Sequence, residues 1–133
     1  MARRYAEDTK VSVQESIDAI RTTVGKHDGA QFFCALGEDE ALVAFSKEAR
    51  QVRFYISLEG KGEQERKAAL RALLLVIKAK LEAVASGISV FEDEFLANIT
   101  LPNGNLVGRE VRRAIAIAYE GGEMPRLLPD YSR

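Results

Sequence analysis

The densest gathering of side chains able to do chemistry lies at 103–113, where the turn Asn103-Gly104-Asn105 leads into a segment carrying Arg109, Arg112 and Arg113. A turn that opens a helix leaves the first backbone N–H groups without partners, and the helix dipole adds partial positive charge there. Asn103 and Asn105 can cap or hydrogen-bond, and arginine guanidinium groups reach phosphate oxygens in bidentate fashion. These five residues are the candidate ligand-binding set, and a phosphate-bearing nucleotide is the ligand they fit. The same residues also describe a capped helix with a solvated arginine face. Arg112 and Arg113 diverge by about 100° around a helix axis, so only one of them points at a given ligand. Either should be replaceable within about 0.5 kcal/mol if it lies on an exposed helix face.

Elsewhere the residue types argue against catalysis. One histidine and one cysteine cannot supply a structural zinc set. Glu92-Asp93-Glu94 could hold a hard cation but lacks calcium-loop spacing, and it reads as the solvated first turn of a helix. His27 precedes Asp28 in a turn with no nucleophile signature beside it. Cys34 sits in an apolar run, where a small core side chain is the expected role rather than a reactive thiolate. No nucleophile elbow, phosphate loop or dinucleotide glycine pattern occurs. The expectation is a non-enzymatic protein with no catalytic residue, no metal and no cofactor.

The totals point the same way. A net charge of −1 and a pI near 5.9 give no overall drive toward nucleic acid or an anionic membrane. The single cysteine cannot form an internal disulfide. The charged opening Met-Ala-Arg-Arg-Tyr-Ala-Glu-Asp does not resemble a signal peptide. The most apolar run, Leu73 to Ile77, falls far short of the roughly 20 residues a membrane span needs. A cytoplasmic protein with no membrane partner is expected. Arg3, Arg4 and Tyr5 either add charge and stacking to the site or form a loose terminus.

The elements that would position these residues make a single α+β domain over 1–133. Val13, Ile17, Ile20 and Val24 recur at helical spacing, Ser12 with Glu15 forms a capping box, and Gly25 and Asp28-Gly29 end the helix. Strands are predicted at 30–36, 41–46 and 51–58, and short turns between them imply a three-stranded antiparallel meander. In the third, Val52, Phe54, Ile56 and Leu58 alternate with Gln51, Arg53, Tyr55 and Ser57. A long central helix follows over 63–86, closed by Gly87. Leu70, Leu73, Leu74, Ile77, Leu81 and Val84 mark one face. Ala68, Ala72, Leu75, Ala79 and Ala83 make the other apolar too, so that face should meet a later helix or a second copy of the chain. Two shorter C-terminal helices complete the chain: one through Phe91, Phe95 and Leu96, opened by Ser89 and Glu92, and one from Val107 to Glu120. Val107, Val111, Ala114 and Ala118 face inward in the last helix. A strand over 97–101 can follow the first of these helices, and the tail with Pro125 and Pro129 should lie extended.

Several blocks resemble a family of small proteins encoded by tailed phages and prophages. They are Met-Ala-Arg-Arg-Tyr-Ala-Glu at the start, Val-Ser-Val-Gln-Glu-Ser at 11–16, Leu-Leu-Leu-Val-Ile-Lys-Ala-Lys-Leu-Glu-Ala-Val-Ala-Ser-Gly-Ile at 73–88 and Phe-Glu-Asp-Glu-Phe-Leu-Ala-Asn-Ile-Thr-Leu-Pro at 91–102. The likeness covers 1–35 and about 70–130. The family has no settled activity and so transfers no site residue. The resemblance implies a viral origin, a bacterial host cytoplasm and a binding role, in counter-defence, recombination or regulation. A homo-oligomer that sequesters a nucleotide or a host protein is the leading expectation. A nucleic-acid-binding recombination or replication accessory is the alternative, opposed by the absence of tryptophan and of a basic stripe with interleaved aromatics.

Overall fold

A computed structural model describes residues 9–128. The element order is α1 (Val13–Lys26), β1 (Ala30–Leu36), β2 (Glu40–Lys47), β3 (Arg50–Ser57), α2 (Glu63–Ala85), α3 (Phe91–Glu94), a 3-10 turn at Leu96–Asn98 and α4 (Val107–Gly121). The strands form one antiparallel sheet in the order β1-β2-β3. This is the expected α+β arrangement. Arg3, Arg4, Tyr5 and Pro129 lie outside the described residues.

Local chemistry sets the boundaries of the first helix. Ser12 Oγ accepts from the Glu15 N–H at 3.1 Å and Glu15 Oε1 accepts from the Ser12 N–H at 3.5 Å, which closes the expected capping box. At the other end Asp28 takes a left-handed φ of 63°. The Gly29 N–H then reaches back to the Val24 carbonyl at 2.8 Å. A Cβ on Gly29 would stand 2.3 Å from Val24 Cγ1, so this close return of the chain requires glycine.

The core lies between one face of the sheet and the two long helices. Ile17, Ile20 and Val24 of α1, Val43 and Phe45 of β2, Val52 and Phe54 of β3, and Leu70, Leu73, Leu74, Ile77 and Leu81 of α2 form one buried cluster. The helices lie side by side with like ends together: Gln64 Nε2 donates to the Thr9 carbonyl at 2.6 Å, and His27 Nε2 stands 3.5 Å from Glu82 Oε1. Phe95 packs edge-on against Phe45 at 5.9 Å and Phe54 at 6.2 Å, which ties the C-terminal segment into the same core.

Four expectations are corrected. The Ser89–Glu92 capping box does not form: Val90 is the N-cap of α3 and makes no side-chain cap bond. Glu92 instead accepts from Arg50 Nε at 3.0 Å, so a tertiary ion pair outcompetes the local cap. The helix drawn through Leu96 is a single turn followed by the 3-10 turn. The strand reading of 97–101 reduces to one bridge between Ile99 and Val52, with the Thr100 N–H donating to the Gln51 carbonyl at 2.9 Å. Finally, α4 packs against the 3-10 turn rather than on α2. Among the described residues the second face of α2 therefore stays open, with Ala72, Val76 and Ala79 exposed and Leu75 half-buried.

Candidate functional site

The 101–106 turn is held by its own backbone. Gly104, at φ +88°, donates to the Leu101 carbonyl at 2.8 Å, and the Leu101 N–H donates to the Asn105 carbonyl at 2.8 Å. Asn103 Oδ1 accepts from the Asn105 N–H at 2.9 Å, an Asx turn that fixes the loop. Neither asparagine caps α4, whose N-cap is Leu106 without a side-chain bond. The Val107 N–H donates to the Ile99 carbonyl at 3.0 Å and the Arg109 N–H to the Leu106 carbonyl at 3.1 Å. These first-turn donors, which the sequence leaves to a ligand, are taken by the protein itself.

Gly108 explains why the start of α4 sits so close to the 3-10 turn. A Cβ there would lie 2.8 Å from the Ala97 carbonyl oxygen and 3.1 Å from Ala97 Cβ, so only glycine permits the approach. That docking points Glu110 inward, only 8% exposed. Its Oε1 accepts from Asn105 Nδ2 at 2.7 Å and its Oε2 from the Arg113 guanidinium at 2.9 Å. A carboxylate removed from water is tolerated only when paired and hydrogen-bonded, and Asn105 and Arg113 do both.

Of the five sequence-predicted residues, the fold brings three together. Asn103, Asn105 and Arg113 line an open cavity of about 360 Å³ between α4 and the returning segment 125–128, with Glu110, Ile117, Leu127 and Leu128. Arg109 turns the other way, its guanidinium 4.7 Å above the Tyr55 ring on β3. Arg112 is exposed and does not line the cavity. The helical period separates the arginines as expected, and the one at the cavity is Arg113.

Glu110 is a cavity residue that does not stand out by its type alone. Its signal was present: it falls between Val107 and Ala114 on the inward stripe of α4, where an ionisable group demands a partner. The cavity lining holds Asn, Glu and Arg beside Ala, Ile, Pro and Leu. What it offers is hydrogen bonding, the fixed negative charge of Glu110, the positive charges of Arg113 (shared with Glu110) and Arg126, and apolar contact.

The remaining candidates are dispersed. Glu92 is bound by Arg50 and Glu94 lies 4.0 Å from Lys80, so the acidic triplet is split between two cations. Among the described residues no group of three or more His, Cys, Asp or Glu side chains gathers where it could hold a metal. Cys34 is half-buried in β1, where burial raises its thiol pKa and the Arg21 charge opposes that rise in part. None of the described helices is long and apolar enough to cross a membrane. No protein-family model, curated protein or solved structure matches the chain.

Proposed function

We propose that this chain is a non-enzymatic, phage-encoded binding module that works in the bacterial cytoplasm as a homo-oligomer and sequesters a phosphate-bearing nucleotide in counter-defence. The phage assignment rests on the sequence blocks at 1–16 and 73–102. One observation carries the ligand: Asn103, Asn105, Glu110 and Arg113 converge on a single cavity walled by Ile117, Leu127 and Leu128. A base edge supplies N–H donors to Glu110, a phosphate accepts from Arg113, and the aliphatic wall takes the ring face. The volume sits at the small end of ligand pockets, which favours a mononucleotide over a polymer.

A thermal-shift screen of cyclic and linear nucleotides alongside short single-stranded DNA tests this, because a ligand of the folded state raises Tm by mass action. The expected result is a rise with a nucleotide, lost in Ile117→Glu and kept in Arg112→Glu. No rise with any nucleotide would reject the ligand. Binding of DNA alone, with steep salt dependence, would transfer the protein to the recombination or replication accessory class. That alternative needs a continuous cationic surface, whereas Arg109 stacks on Tyr55 and Arg113 is shared with Glu110.

A host protein is the second kind of partner. The observation favouring it is the run of exposed apolar side chains on and after α4: Ile115, Ile117, Tyr119 and Met124.

A further inference from the structure

The two edges of the sheet are treated differently. The outer edge of β3 is covered, since Ile99 bridges to Val52, the Thr100 N–H bonds the Gln51 carbonyl and Asn98 Nδ2 donates to the Arg53 carbonyl at 2.9 Å. Among the described residues no segment pairs with the outer edge of β1. Exposed edge strands are usually guarded by charge, proline or a bulge along their length. β1 reads Ala-Gln-Phe-Phe-Cys-Ala-Leu, with no charge and no proline, and its one irregularity lies at the amino-terminal end between Ala30 and Phe33.

We propose that two copies of this chain pair antiparallel through the outer edge of β1, with Cys34 on the two-fold axis, to make one six-stranded sheet. The proposal rests on the homo-oligomer part of the reading above and is independent of the cavity. The hydrogen-bond pattern fixes the register. The Gly37 N–H donates to the Glu40 carbonyl at 2.8 Å, so Ala35 and Phe33, in step with Gly37, turn their backbone groups toward β2. Cys34 and Leu36 then present theirs to the outside. An antiparallel pair centred on Cys34 joins Cys34 to Cys34 of the partner subunit and Leu36 to Phe32 of the partner subunit. It also sets Phe33 across from Ala35 of the partner subunit on the other face. The two large apolar side chains that β1 leaves exposed, Phe33 at 54% and Leu36 at 49%, each gain a cross-strand neighbour.

Charge selects the antiparallel sense. The turn after β1 carries Glu38, Asp39 and Glu40, all acidic and exposed. The other end of the strand is mixed: Arg21 lies 5.0 Å over the Phe32 ring and 3.3 Å from Asp18, with Lys26 and Asp28 nearby in the chain. Parallel pairing would stack two acidic turns on each other, whereas antiparallel pairing sets each against the mixed end.

Three measurements on the full chain test the pairing. Light scattering should give a dimer mass at micromolar concentration. Diamide, a two-electron oxidant of thiol pairs, should join the chains through Cys34 at mildly alkaline pH, since facing hydrogen-bonded residues lie about 5.5 Å apart at Cα, within disulfide reach. Ala79→Cys in a Cys34→Ser background, which places the thiol on the open face of α2, should not cross-link. Phe33→Lys should give a monomer with an unchanged circular dichroism spectrum; if that variant does not fold, Leu36→Lys takes its place. A monomer throughout the micromolar range would overturn both this pairing and the oligomer reading. A dimer that links through Ala79→Cys and not Cys34, or survives Phe33→Lys, would overturn the pairing alone.

Discussion

The layer built by α1, α2 and the inner face of the sheet differs in kind from the arm formed by α4 and residues 125–128. The first is dry: Ile20, Phe45, Val52, Leu70 and Ile77 are fully buried, and aliphatic and aromatic contacts hold it together. The second has few buried apolar groups, and its inward stripe carries a buried carboxylate, Glu110, held by the more exposed Asn105 and Arg113. Apolar side chains that the first region turns inward are left outside in the second, among them Ile115, Ile117 and Tyr119. Burial of apolar surface is non-directional and cumulative, so the first region gains stability from many interchangeable contacts. The second depends on a few directional bonds around one carboxylate, and those bonds face the cavity. Stability is concentrated in one part of the chain, and the recognition proposed above falls to the other.

The sharpest way to break the contrast is to cut into the dry layer. Leu74→Ala and Ile77→Ala should each cost roughly 2–5 kcal/mol by denaturant unfolding, the range for large-to-small changes in a packed core. Leu75→Ala, on the half-buried side of the same helix, should cost clearly less. Equal losses at all three positions would mean that a partner covers the second face of α2 in solution.

In the arm the expected effects are smaller and follow hydrogen bonds rather than volume. Arg113→Ala and Asn105→Ala each leave Glu110 short of a partner, at a cost of roughly 1–3 kcal/mol. Arg112→Glu should stay within about 0.5 kcal/mol. The sequence treats Arg112 and Arg113 as equivalent exposed positions, and the 2.9 Å contact between Arg113 and Glu110 separates them. Urea titrations of the three variants decide this. If Arg113→Ala proved as mild as Arg112→Glu, Asn105 alone would be holding the carboxylate.

The turns offer a finer comparison. Between β2 and β3 both central residues, Glu48 at φ 49° and Ala49 at φ 62°, are left-handed, a hairpin geometry that normally uses Asn-Gly. Ala49→Gly should therefore stabilise the protein by about 1 kcal/mol, read as a higher urea midpoint at unchanged slope. An unchanged midpoint would show that the flanking strands already impose the turn at no cost.

How much of this was legible in the sequence depends on the range over which each signal acts. The capping box at Ser12–Glu15, the alternation of 51–58 and the stop at Gly87 are set within a few residues, and the fold reproduces them. Ser89–Glu92 has the same local pattern, but Arg50, distant in sequence, claims Glu92. Asn103 and Asn105 were legible as hydrogen-bonding residues, while their partners were not, because those depend on where Gly108 lets α4 dock. Glu110 was missed for the same reason: a carboxylate reads as surface until the neighbours that enclose it are placed. The open face of α2 is the converse case. Its apolar pattern called for a later helix or a second copy of the chain as cover, and the later helix packs on the 3-10 turn instead.

The smallest expected effect concerns Cys34, which lies at the margin of the dry layer rather than within it. Burial raises its thiol pKa, and Arg21 opposes part of the rise. A folded pKa above the unfolded one means that the native chain holds its proton more tightly. The associated stability is fully present below the pKa of an unfolded cysteine and is lost as pH climbs through the folded value. Wild type should therefore lose stability more steeply than Cys34→Ser in urea titrations run from neutral to strongly alkaline pH. The half-exposed position keeps the difference small, since water screens what burial would otherwise enforce. Parallel pH profiles for the two proteins would show that the thiol is solvated as freely in the fold as in the open chain, placing the edge of β1 outside the dry layer altogether.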